Sequence, residues 1–141
     1  MKKQATPQGG WHIRDIVWKA VWWGYSLGLI ITLAVGVPLL LVSGSSWLLG
    51  LAGLGGLFAG GFMVGARVGP RVAVINGALM GIMYNMTVVV ALFAGWFFEL
   101  LPEPLPGLPQ GDSTFFFAWP LMQFAVSVVG AMVGSRLSKK Q

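Results

Sequence analysis

Residues 53–69 read GLGGLFAGGFMVGARVG, seven glycines in an apolar run that closes on an arginine and a glycine. In water such a run argues against a helix, because each glycine costs about 1 kcal/mol relative to alanine. In a bilayer the argument reverses. Backbone N–H and C=O groups cannot face lipid unpaired, so the run must be helical, and its glycines become positions where other helices approach closely. The stretch describes a helix shaped for packing rather than a reactive site.

Composition extends this reading to the whole chain. Of 141 residues, 56% are hydrophobic and 9% charged, and the mean hydropathy is +0.78. A soluble domain carries about a quarter charged residues, so the membrane class follows. No cysteine is present, which excludes disulfides, thiolate metal sites and iron–sulfur clusters. Four stretches reach the length of about 20 apolar residues needed to cross a hydrocarbon core: residues 18–42, 47–66, 72–98 and 115–135. They define a transmembrane domain over 18–136, an N-terminal tail and interfacial segment over 1–17, and a basic tail over 137–141. The first stretch, preceded by Lys2 and Lys3, is too long for the apolar region of a cleaved signal peptide and is read as a retained helix. The expected fold is an all-α bundle of four transmembrane helices.

Drawing four spans sorts the charges. Lys2, Lys3 and Arg14 precede the first with Lys19 at its very start, Arg67 and Arg71 separate the second from the third, and Arg136, Lys139 and Lys140 follow the fourth. All nine cations fall on one side, which the positive-inside rule makes cytoplasmic. Glu99, Glu103 and Asp112 fall in the last external loop. Trp47, Trp96 and Trp119 mark the outer interface, and Trp18, Trp22 and Trp23 the inner one. The expectation is a bacterial inner-membrane protein with both termini cytoplasmic. The net charge of +5 thus reports topology rather than nucleic-acid binding.

Segments between the spans are mostly short. Residues 43–46 close one tight hairpin and Gly69-Pro70 another, while residues 99–114, with Pro102, Pro104, Pro106 and Pro109, form an extended external loop. Asp112, Ser113 or Thr114 is positioned to cap the fourth helix. Pro38 predicts a kink near the outer end of the first helix. His12 is a lone interfacial histidine.

Residues four apart share a helix face. The first helix presents Gly24, Gly28, Thr32 and Gly36. The second presents Gly53, Gly61, Gly65 and Gly69, with Gly56 and Gly60 alongside. The third presents Gly77, Gly81 and Asn85, and the fourth Gln123 and Ser127 leading into Gly130 and Gly134. Within this set, Gly61-Phe-Met-Val-Gly-Ala-Arg67 aligns without gaps with Gly130-Ala-Met-Val-Gly-Ser-Arg136. Two origins account for the echo: a tandem duplication of a two-helix hairpin, or the general preference for small residues and then arginine where a helix leaves the membrane.

Thr32, Asn85 and Gln123 are polar residues at membrane depth. They read either as a polar cluster lining a path or as interhelical hydrogen bonding, worth roughly 0.6 kcal/mol per bond on average. Arg67 and Arg71 read either as topology determinants or as contacts for lipid headgroups or an acidic partner. Apart from Lys19 at the very start of the first, no carboxylate, lysine or arginine falls inside a span, and no catalytic constellation or phosphate loop is present.

Several stretches resemble the YrzE-like family of small four-helix bacterial integral membrane proteins. They are Lys19-Ala-Val with Leu29-Ile-Ile-Thr-Leu, Gly60-Gly-Phe-Met-Val-Gly-Ala-Arg-Val-Gly, Asn76-Gly-Ala-Leu-Met-Gly-Ile-Met-Tyr and Gly130-Ala-Met-Val-Gly. The chain departs from that pattern in carrying Asn76 where histidine is common, and in its proline-rich loop. The resemblance implies the fold and no activity. The functional expectation is a non-enzymatic protein without cofactors. It would act as a scaffold or accessory subunit that contacts other membrane subunits, or itself, through its glycine faces. The alternative is a homo-oligomeric channel or carrier for a small solute.

Overall fold

The computed structural model describes residues 15–98 and 113–138. Four helices account for nearly all of them: α1 (Trp18–Ser43), α2 (Ser46–Val68), α3 (Pro70–Phe97) and α4 (Ser113–Leu137). Among the described residues there is no strand. The shortest helix, α2, has 23 residues, about 35 Å of rise against a hydrocarbon core of about 30 Å. Each helix is long and apolar enough to span a membrane. The observed ends lie within about two residues of the sequence boundaries, inside the usual scatter of such boundaries. The acidic proline stretch over 99–112, including the capping candidate Asp112, lies outside the described residues, as do His12, the rest of 1–14, and 139–141, while the other two candidates, Ser113 and Thr114, fall inside α4.

The two short connections follow from glycine. Gly44 closes α1 with φ 66° and its N–H bonded to Leu40 O at 2.8 Å, a left-handed cap that side chains with a Cβ adopt reluctantly. Gly69, with φ 77°, is the single residue between α2 and α3. Pro70 then starts α3, where its missing N–H would have had no helical partner anyway.

Within α1, residues Thr32–Gly36 form a π-helical segment between α-helical Trp18–Ile31 and Val37–Ser43. Pro38 explains its position. The proline offers no N–H to the carbonyl four residues earlier, at Ala34, and its ring crowds that carbonyl. The expected distortion therefore falls before the proline and takes the form of a widened turn.

α1 runs antiparallel to α2, α3 antiparallel to α4, and α2 parallel to α4, as the glycine contacts show. A Cβ on Gly24 would come within 2.6 Å of Gly60 O, and one on Gly56 within 2.5 Å of Gly28 O. Both spacings are shorter than real Cβ atoms tolerate, so backbone rests on backbone there. Gly36 meets Leu49 and Ala52, and Gly53 meets the Tyr84 hydroxyl. On the other side of α2, a Cβ on Gly61 would strike the Ser127 carbonyl oxygen and one on Gly65 the Ala131 carbonyl oxygen. From α4, Gly130 likewise meets Phe58 O and Gly134 meets Phe62 O. Gly77 and Gly81 of α3 pack on Ala131 and Ser127.

This arrangement revises the face drawn from four-residue spacing. Gly56 and Gly60 face α1, and Gly53 beside them faces Tyr84 of α3 and then Thr32 of α1, whereas Gly61 and Gly65 turn toward α4. At about 100° per residue the two sets diverge by roughly a quarter turn. The α2–α4 contact also repeats itself with the roles exchanged. Gly61 and Gly130 correspond in the echoed motif, and each meets the carbonyl three residues before its counterpart; Gly65 and Gly134 do the same. A local two-fold axis thus runs between these parallel helices. It does not extend outward unchanged, because Gly24 and Gly28 rest on glycine backbone while Gly77 meets the Ala131 side chain and Gly81 the Ser127 side chain.

The small residues leave room for a buried cluster of Val21, Leu57, Val64, Met80 and Tyr84, all 1% exposed or less. Replacing Gly65 by valine drives a side chain into the Ala131 backbone, and is expected to destabilise the bundle by about 1–3 kcal/mol. Gly55→Ala meets nothing within 4 Å and should change stability by about 1 kcal/mol or less. Thermal melting by circular dichroism in detergent checks both.

Candidate functional site

Polar side chains inside a low-dielectric bundle need partners, and most of those in this chain find them on neighbouring helices. Thr32 Oγ1 donates to Gly28 O at 2.8 Å and lies 2.7 Å from the Tyr84 hydroxyl. A threonine hydroxyl carries one proton, so Tyr84 is the donor to Thr32. The second pair is built in the opposite sense. Thr87 of α3 donates to Met83 O at 3.0 Å, and Tyr25 of α1, 2.7 Å away, donates to Thr87. Each helix therefore contributes one tyrosine and one threonine to two links between α1 and α3. Ser127, fully buried, donates to Gly77 O at 2.7 Å and ties α4 to α3.

Among the described residues, Thr32, Asn85 and Gln123 are not joined by hydrogen bonds. Thr32 is held by Tyr84; half-buried Asn85 donates to Gly81 O of its own helix at 3.0 Å. Gln123 is 4% exposed and forms no hydrogen bond among the described residues. All twelve packing glycines (Gly24, Gly28, Gly36, Gly53, Gly56, Gly60, Gly61, Gly65, Gly77, Gly81, Gly130 and Gly134) are buried against another helix of the same chain.

At the end of the bundle where α1 begins, a second polar node is centred on Asn76. Its side chain is fully buried. The Nδ2 group donates to Asp15 O at 3.0 Å and Val72 O at 2.8 Å, while Oδ1 accepts the Val17 N–H at 2.7 Å. Both amide protons and the carbonyl are used, so one side chain on α3 clamps the segment leading into α1. Val17, the residue before α1, has no side chain suited to capping, and Asn76 binds its N–H from across the bundle. In the sequence, Asn76 stands out only as a departure from a family pattern. Its signal was the stripe Ala73, Asn76, Met80 and Tyr84, spaced at three or four residues, all of which are buried.

The same end carries the basic residues. Arg67 lies in the last turn of α2 and Arg136 in the last turn of α4, where cations offset the negative end of the helix dipole. The Arg67 guanidinium carbon sits 5.5 Å from the centroid of the Trp23 ring, within cation–π range. A groove of about 460 Å³ opens here, lined by Val17, Lys19, Ala20, Trp23 and Arg67. Arg71 is exposed on the first turn of α3 and does not line it. At the opposite end, Trp47 and Trp119 meet edge to face with centroids 6.1 Å apart.

Together these features define an all-α, multi-pass membrane protein whose intramembrane polar groups mainly connect its own helices. Compared with protein-family models, curated proteins and solved structures, the chain matches none.

Asn76→Ala leaves the Val17 N–H and the Asp15 carbonyl without the partners seen here. We expect a loss of about 1–3 kcal/mol, with faster hydrogen exchange at Val17. Tyr84→Phe keeps the ring and leaves the Thr32 bond to Gly28 O intact, so its cost should be nearer 0.6 kcal/mol. Comparing the two variants by thermal melting tests the difference.

Proposed function

We propose that this chain is a non-enzymatic scaffold or accessory subunit of a larger membrane assembly. The observation that supports this reading is the use of its interior: glycines and most paired polar side chains lock four helices together. A bundle organised in this way presents stable outer faces. Because the glycine faces lie between sister helices, partner contact would use the lipid-facing surface instead. The outer half of α1 is one such surface, with Leu41 79% and Val42 89% exposed. The resemblance to the YrzE-like family agrees with the same architecture.

For its setting we propose the bacterial inner membrane, with both termini in the cytoplasm. Lys19, Arg67, Arg71 and Arg136 all lie near the ends of helices on the same side of the bundle, which supports this orientation under the positive-inside rule. Because the chain has no cysteine, single replacements report directly. With a membrane-impermeant maleimide on intact cells, Ser45→Cys should label readily and Ser138→Cys only after permeabilisation. The reverse pattern would overturn the orientation.

The accessory role is tested by affinity purification from gently solubilised native membranes, with cross-linking beforehand. A second membrane protein recovered in constant ratio is the expected result. A strictly monomeric protein with no cross-linked partner would refute it.

One observation favours the channel or carrier alternative: Gln123 keeps a buried amide without a hydrogen bond among the described residues. Under that reading, Thr32, Asn85 and Gln123 would line a path in an oligomer. Liposomes holding the purified protein should then pass a small solute, and Gln123→Leu should reduce the flux. Absence of flux across a broad panel of ions and small solutes counts against it.

A further inference from the structure

We infer that the groove between the start of α1 and the end of α2 is a binding site for a phosphate-bearing anion, of the kind carried by phospholipid headgroups. The inference does not depend on whether the bundle joins a larger assembly. Two cations from different helices line the groove, Lys19 at the second residue of α1 and Arg67 in the last turn of α2. They are more than forty residues apart in sequence and are brought together by the glycine contact of Gly24 with Gly60 one to two turns deeper. Among the described residues, neither has a carboxylate partner.

Trp23 supplies an apolar wall and holds the Arg67 guanidinium over its ring. That contact restrains the arginine without occupying its N–H donors, which match phosphate oxygens in geometry. The volume of about 460 Å³ lies within the range of small-ligand sites. Trp18 and Trp22, each about half exposed on the same helix, are the residues that settle at headgroup depth, so the groove lies where lipid phosphates do. Asp15, on the segment leading into α1, sets one negative charge near the two positive ones.

The structure also separates Arg67 from Arg71. Sequence spacing pairs these two arginines across the turn, yet only Arg67 faces the groove, and its companion is Lys19.

The test uses the full-length protein in phosphatidylcholine nanodiscs containing a minor share of phosphatidylglycerol, with retained lipid counted by native mass spectrometry. Preferential retention of phosphatidylglycerol is expected. Lys19→Gln and Arg67→Gln should each reduce it about fivefold, and Arg71→Gln less than about twofold. Arg67→Lys keeps the charge but loses the planar donor set, and should fall between wild type and Arg67→Gln. Circular dichroism confirms that the variants remain helical. Inorganic phosphate added at millimolar concentration separates the two sources of the same chemistry. Displacement of the lipid shows that free phosphate also occupies the site; no displacement assigns it to the headgroup. Equal loss in Arg71→Gln and Arg67→Gln, or equal retention of both lipids by the wild type, overturns the inference.

Discussion

The architecture depends on one constraint, the close approach of helix backbones where glycine leaves no side chain between them. Lipid gives helices no hydrophobic reason to associate, since its tails are as apolar as leucine. What remains is dispersion, which falls steeply with separation, and hydrogen bonding. At Gly61, Gly65, Gly130 and Gly134 the backbones of α2 and α4 touch directly, and at Gly24, Gly28, Gly56 and Gly60 those of α1 and α2 do so. Every other feature is built on these contacts. The tyrosine–threonine links reach across from α1 to α3 because α2 holds α1 in place, and Ser127 reaches Gly77 O because Gly77 and Gly81 admit α4.

The spans were legible in the sequence because length and hydropathy are what a bilayer selects, and these properties are local. The glycine positions were equally plain. Their partners were not, since a small-residue stripe shows that something packs there without showing what. Periodicity also merged two faces of α2, because Gly53 and Gly61 sit eight residues apart, two turns plus a remainder that matters. The polar residues show the limit most sharply. Asn85 is central in its span yet bonds to its own helix, while Asn76, near one end, ties α3 to the segment leading into α1. Tyr25 and Tyr84 are less conspicuous in the sequence than the amides, although a phenol reaches farther across a helix interface and it is these two that link α1 to α3.

The two ends of the bundle differ in chemistry as well as charge. One end gathers Lys19, Arg67 and the Asn76 clamp, so the entry into α1 and the exit from α2 are positioned together. The other end relies on aromatic contact between Trp47 and Trp119. Among the described residues, the basic end therefore carries the denser set of polar side-chain contacts.

The parallel pairing of α2 with α4 has a consequence for how the protein is made. Consecutive spans are antiparallel, so none of the three nearest-neighbour hairpins contains this contact; it joins residues near position 61 to residues near 130, and forms only after the last span has entered the membrane. Until then the nascent three-helix intermediate carries the Gly61 and Gly65 face uncovered. Because that face and its eventual cover share one motif, an unfinished chain resembles its own missing piece. The last helix to be made is therefore the one that covers this face of α2.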